Sequence, residues 1–151
     1  MNIYSDYGNG DHAVGNLING LVFKEQEIAQ VNVGKTYRLA FDVLKDPVPN
    51  NGDGGTTSEA FIKVLRRSDG SFAELGISTF DTTNASTTTW GQGFVDLTID
   101  PAWAGELLQF GFSNVVTNYD DSGRFYDNLV FGESSVGSNY CTAAVNSTGA
   151  A

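Results

Sequence analysis

Gly123-Arg124-Phe125-Tyr126-Asp127-Asn128-Leu129-Val130-Phe131 alternates as a strand does, and the fold turns on how it is read. At a period of two, Phe125, Leu129 and Phe131 share one face with Asp127. A carboxylate aimed at the same face as three large apolar side chains needs a partner, because an unpaired buried ion is strongly destabilising. That partner is an arginine, a row of amides or a metal ion. Calcium is the ion that a loop-rich, acidic chain supplies most readily, through its many oxygen donors.

The same alternation recurs outward from this stretch. Tyr37, Leu39, Phe41 and Val43 alternate with Arg38, Ala40, Asp42 and Leu44, which predicts a strand with one strongly apolar face and Arg38 and Asp42 on the other. Glu59 to Arg67 and Phe72 to Phe80 read as two strands joined by a Ser68-Asp69-Gly70-Ser71 hairpin turn. Phe94 to Ile99 and Leu108 to Ser113 alternate in the same way. Leu21-Val22-Phe23 and Ile28 to Val33 are strand material split by Lys24-Glu25-Gln26-Glu27. Asp81 to Thr89, rich in Thr, Ser and Asn, suits an exposed edge strand or a flat polar surface.

Helix signals are confined to Asp100-Pro101-Ala102-Trp103, with Asp100 as N-cap, Pro101 at the first position and Trp103 as a core plug. Asp46 to Thr57 holds two of the three prolines and predicts an exposed loop. Asp6-Tyr7-Gly8-Asn9-Gly10-Asp11-His12 is a run of turn formers whose two carboxylates make it a candidate metal loop, with Asp6 and Asp11 as ligands. His12, the sole histidine, reads as a surface residue, since a general base needs a positioned partner.

Composition agrees with strands and turns. The 151 residues suffice for one sizeable core, 17% are charged and 18 are glycine. A formal charge of −10 and a pI near 4.2 argue against nucleic acid and anionic membrane surfaces as partners. One cysteine permits no internal disulfide and no thiolate zinc site. No run of apolar residues is long enough for a membrane-spanning helix.

About eight short strands with frequent turns, the last of them closing beside the first, predict an all-β fold: a two-sheet antiparallel β-sandwich, most simply a jelly roll. The sandwich is expected over residues 1–133. Residues 134–151 read as a linker, Ser134-Ser135-Val136-Gly137-Ser138, and the start of a following module, so the chain is expected to be a piece of a longer one.

Two runs carry a family resemblance. Val31-Asn32-Val33-Gly34-Lys35-Thr36-Tyr37-Arg38-Leu39-Ala40-Phe41-Asp42-Val43 and the closing Phe125-Tyr126-Asp127-Asn128-Leu129-Val130-Phe131 resemble the pattern of jelly-roll carbohydrate-binding modules. That broad group includes families 4, 9, 16 and 22, the non-catalytic modules of secreted bacterial polysaccharide-degrading enzymes. The resemblance implies a structural calcium site to which Asp127 contributes. The usual opening strand of the group is missing here, so the N-terminal calcium ligands do not transfer.

The function this implies is targeting of an attached catalytic module to a polysaccharide, in a secreted or cell-surface setting. Rings that stack on sugar C–H faces and side chains that pair with hydroxyls are the expected contacts. By type and position these are Trp90 and Tyr119 for stacking, and Arg38, Lys45, Arg66, Arg67, Asn118, Asp120 and Arg124 for polar contacts. Arg66-Arg67 is the densest positive spot in an acidic chain, as an anionic plant or marine polymer requires. The plainer readings are sandwich-end packing for Trp90 and a solvated or Asp-paired arginine for Arg66 and Arg67. The alternative function is a calcium-rigidified spacer or adhesin-like module that binds no sugar. A lyase or hydrolase finds no local motif in the chain.

Overall fold

The computed structural model describes residues 1–5, 18–46, 57–116 and 122–134. Eight strands run in order: β1 (Asn2–Ser5), β2 (Ile18–Glu27), β3 (Thr36–Lys45), β4 (Thr57–Leu65), β5 (Glu74–Asp81), β6 (Gly91–Thr98), β7 (Leu107–Val116) and β8 (Ser122–Glu133). They form two four-stranded antiparallel sheets, β1-β8-β3-β6 and β2-β7-β4-β5. The all-β two-sheet sandwich expected from the alternation is therefore present.

Alternation builds the core between the sheets. Tyr37, Leu39, Phe41 and Val43 of β3 are buried opposite Ala60, Ile62 and Val64 of β4 and Leu108 and Phe112 of β7. Aromatic rings join the layers: Phe112 stacks on Tyr126 at 3.9 Å, Phe110 on Phe131 at 3.5 Å, and Phe41 meets Phe80, Phe112 and Tyr126 edge-on. Gly93 makes room for this cluster, since a Cβ there would sit 2.7 Å from the Phe41 ring and 3.1 Å from Phe80. Gly76 does the same for Trp103, whose indole lies over it; Trp103 belongs to the short helical turn Pro101–Trp103, capped by Asp100 Oδ1, which accepts from Ala102 N–H at 2.8 Å.

Two local expectations are corrected. Lys24–Glu27 does not interrupt a strand: it continues β2, an edge strand whose exposed positions tolerate charge and which pairs with β7 through Glu27↔Leu107. Ile28–Val33 is not a strand but a turn around Gln30–Asn32, in which the Asn32 side chain accepts from the Ala29 N–H at 3.0 Å. An Asn that bonds its own backbone favours a turn over a ladder.

A further correction concerns the closing strand. Ala40 pairs with Val130 and Asp42 with Asp127, so Phe41 faces the two residues Asn128 and Leu129, and Asn128 takes a left-handed φ of 50°. This is a β-bulge, and the extra residue exchanges the two faces of the strand. Arg124 and Tyr126 point inward before it and Phe131 packs on the core after it. Asp127 and Leu129 are exposed, so Asp127 is not the buried carboxylate that strict alternation predicts.

The buried ion of this strand is instead Arg124. Its side chain is completely enclosed, and its guanidinium donates to the carbonyls of Thr82 at 3.2 Å, Thr83 at 2.8 Å and Gly123 at 3.1 Å. Burial lowers its pKa, opposed by Tyr126, Asp81 and Asp46. Beside it the Tyr126 hydroxyl bonds Thr82 at 2.8 Å, and Thr82 donates to Ser58 at 2.9 Å. Burial also pushes the Tyr126 hydroxyl up. These groups tie the turn after β5 to β8 and β4.

At the other end Glu106 holds the β4–β5 connection. Its carboxylate accepts from the Ser68 hydroxyl at 2.7 Å and from the backbone N–H groups of Arg67 at 2.5 Å and Ser68 at 3.1 Å. Those bonds, led by Ser68, hold its carboxyl below the usual carboxylate range.

Replacing Arg124 by Leu removes the donor from three carbonyls, and chemical denaturation should show a loss of about 3 kcal/mol or more. Glu106 gives a pH dependence. Its native pKa lies below the ordinary 4.5, so its contribution is complete above that value and fades as pH falls through the native pKa. Melting curves of wild type and Glu106→Gln should differ most above pH 4.5 and converge in stronger acid; a constant difference would show that ionisation of Glu106 plays no part.

Candidate functional site

The inward face of β3 is spent on the core, which leaves Arg38, Ala40 and Asp42 on the outer face of its sheet. The register sets three rows across this face. Arg38 lies between Asp96 and Gly132, Ala40 between Phe94 and Val130, and Asp42 between Gln92 and Asp127. Ala40 and Gly132 are small, whereas Phe94 and Val130 stand 43% and 56% exposed on either side. The result is a pocket of about 400 Å³ lined by Arg38, Ala40, Gln92, Phe94, Asn128 and Val130 among others. It runs on to Glu133 and Ser134 at the end of β8.

One wall is preorganised by Arg38. Its Nε and Nη2 donate to the two carboxylate oxygens of Asp96 at 2.7 and 2.6 Å, and its guanidinium lies 4.0 Å over the Phe94 ring centroid. The fork geometry and the ring contact both fix the Phe94 side chain in place. At the opposite row, Asn128 N–H donates to Asp127 Oδ1 at 2.8 Å and the Asn128 side-chain amide donates to Asp42 Oδ2 at 2.6 Å. Glu133 accepts from Lys35 at 2.8 Å, and that bond raises the Lys35 ammonium above its ordinary value. An exposed ring beside fixed amide and carboxylate groups can hold the apolar face of a small polar molecule and read its hydroxyls.

A second, polar pocket of about 300 Å³ lies at one end of the other sheet, lined by Thr57, Ser58, Glu59, Asp81, Thr83, Ser113 and Val115. Burial, then Asp81, raises the Glu59 carboxyl, whereas hydrogen bonds from Thr83 hold Asp81 down.

The residues expected from sequence fall in different places. Arg38 lies in the sheet-face pocket. Trp90 directly precedes β6, on the parity of Gln92 and Phe94, and is 47% exposed. Arg66 and Arg67 are remote from it on the β4–β5 connection, paired with Asp69 at 3.4 Å and Glu27 at 2.5 Å. Lys45 is half-buried near Arg124; burial lowers its ammonium, as does Arg124. Arg124 is enclosed in the domain, so a polar contact from it to a surface ligand is ruled out by its burial. Asn118, Tyr119 and Asp120 lie outside the described residues, as do Asp6, Asp11 and the boundary at 134–151 beyond Ser134.

Asp127 is at the surface beside Asp42. Among the described residues no three His, Cys, Asp or Glu side chains converge on one point, and these two carboxylates alone fall short of a calcium shell of about six to eight oxygens. No helix among the described residues is long and apolar enough to cross a membrane.

Phe94, Gln92 and Asn128 were not singled out from the sequence. A usable signal was there for Phe94: in Phe94-Val95-Asp96-Leu97-Thr98 it shares the parity of Asp96 and Thr98, and a large aromatic on the polar side of a half-buried strand calls for an explanation. Asn128 has no such signal, because its role comes from the bulge.

No family model matches the chain, and no curated protein matches it significantly. Solved structures do resemble it. The enzymatically active domain of bacteriophage CBA120 tailspike protein 4 matches with a TM-score of 0.51 and 11% identity, over 77% of this chain and 14% of that one. A CBM4 structure matches at 0.42 and 14% identity, over 77% and 61%, and the baseplate tripod of bacteriophage Tuc2009 at 0.35 and 19%, over 79% and 48%. The chain thus spans less than two thirds of each of these chains. The tailspike match is a likeness of fold.

Proposed function

We propose that this chain is a non-catalytic carbohydrate-binding module that holds a polysaccharide along the outer face of β6, β3 and β8 and so targets an attached enzyme. One observation carries the reading: the Phe94 ring, held by the Arg38–Asp96 fork, lies exposed in a pocket of about 400 Å³ on the outer sheet face. Sugar C–H faces pack on such a ring, and Gln92, Asn128 and Asp42 are of the type that pairs with hydroxyls. Trp90, exposed just before that strand, is a second ring available for stacking. The anionic polymer expected from Arg66 and Arg67 finds less support, since each of these arginines stands against a carboxylate.

A structural calcium ion belongs to the proposal as a separate element, held by Asp127 with Asp6 and Asp11. Its support is the acidity of the chain and the resemblance of its closing strand, and sugar binding does not depend on it. A spacer without sugar binding is the competing reading.

Affinity electrophoresis on a panel of polysaccharides tests the main claim. Wild type should be retarded by at least one polymer, and Phe94→Ala should weaken retention about tenfold or more, equivalent to about 1.4 kcal/mol, with little change in melting temperature because the ring is half-exposed. Unchanged retention in Phe94→Ala would move the site elsewhere, and no retention on any polymer would favour the spacer. For the ion, calcium should raise the melting temperature over a chelator control, and Asp127→Asn should reduce that rise; equal melting with and without calcium would remove the ion from the proposal.

A further inference from the structure

The sheet-face pocket and its borders carry more carboxylates than cations. Asp42 and Asp127 face each other directly across the β3–β8 ladder, an arrangement of like charges that is destabilising in itself. Asn128 bridges them, spending its backbone N–H on Asp127 and its side-chain amide on Asp42. Two Arg38 nitrogens donate to Asp96, and Lys35 donates to Glu133. The cations of this face are thus each matched by a carboxylate, and Asp42 and Asp127 remain as surplus negative charge. Ionised carboxylates accept hydrogen bonds and donate none.

We infer that the Asp42–Asn128–Asp127 row is a charge filter, which admits saccharide segments that donate hydrogen bonds, whether uncharged or amine-bearing, and turns away uronic and sulfated ones. The inference rests on the sheet-face binding reading and names the ligand class for that same pocket, which Asp42 and Asn128 line and Asp127 adjoins across the ladder. A sugar hydroxyl or ammonium brought to this row meets acceptors. A carboxylate or sulfate meets like charge with only the neutral amides of Asn128 and Gln92 to answer it, and such juxtapositions are what suppress wrong partners at interfaces. The bulge makes the filter, because its left-handed Asn128 brings a backbone N–H to Asp127 and a side-chain amide to Asp42.

The test compares retention of the whole chain on a neutral glucan or xylan, a uronic polymer, a sulfated polymer and partly deacetylated chitin. Wild type should bind the neutral polymer about tenfold or more tightly than the uronic one. Asp42→Asn/Asp127→Asn should narrow that gap and weaken the hold on the amine-bearing polymer. A control, Glu25→Gln/Glu74→Gln, makes the same change in net charge on the opposite sheet and should leave the gap in place. Wild type gives an independent reading without any substitution: added salt should strengthen its binding to the uronic polymer, as screening of repulsion requires.

Binding to anionic polymers as tight as to neutral ones, or weakened by salt, would overturn the filter and leave the binding reading intact. The filter is overturned in the same way if the opposite-sheet control closes the gap as well as the Asp42/Asp127 pair does. Failure of wild type to bind any of the four polymers would instead overturn the binding reading, and the filter with it.

Discussion

One additional residue in β8 governs the arrangement of this sandwich. Asn128 and Leu129 together oppose Phe41, and the strand thereby changes face in mid-course. Tyr126 and Phe131 are five positions apart, an odd interval that an unbroken strand would send to opposite sides. With the bulge, Tyr126 stacks on Phe112 and Phe131 stacks on Phe110, so both ends of β8 contribute rings to the same interior. The left-handed backbone at Asn128 is of the kind that Asn adopts more readily than most residues, and its side chain bonds across the ladder to Asp42.

Small residues then decide where space is closed and where it stays open. Gly93 and Gly76 are filled, by the Phe41 and Phe80 rings and by Trp103, and neither could carry a Cβ without displacing its neighbour. Ala40 and Gly132 lie on the outer side of the sheet that holds Gly93, and the pocket is the consequence. The interior is also more polar than its aromatic content suggests. Arg124 carries a full charge into it and is accommodated by three carbonyls, two of them from the turn that follows β5. That hydrogen-bonded charge fixes the turn against β8, at the cost of desolvating a guanidinium.

Much of the fold was legible because half-buried strands write their faces into the sequence. The run from Tyr37 to Val43 is buried at each alternate residue as its pattern predicts, and Asp100-Pro101 does begin the short helical turn whose Trp103, partly buried, packs against the core. The pattern fails where an exposed edge relaxes it. In β2 a charged run continues the strand, and in Ile28–Val33 apolar residues enter a turn because Asn32 satisfies the backbone locally. Of the candidate site, Arg38 and Asp42 were visible as the polar face of one strand. Phe94 and Val130 become its walls through register with that strand, which no local pattern states.

By itself the sequence determined the all-β class, the strands of the core, the acidic surface and the chemical types available to bind a ligand, since all of these follow from local periodicity and composition. Only the tertiary structure decided that the buried ion is Arg124 and not Asp127, that Arg66 and Arg67 are answered by carboxylates, and that Arg38, Phe94, Asp42 and Asn128 line one pocket. The physical reason is that a period of two assigns faces only while the register holds. One bulged residue reverses every assignment beyond it, and whether the chain accepts that bulge is settled by what packs across the ladder and between the sheets.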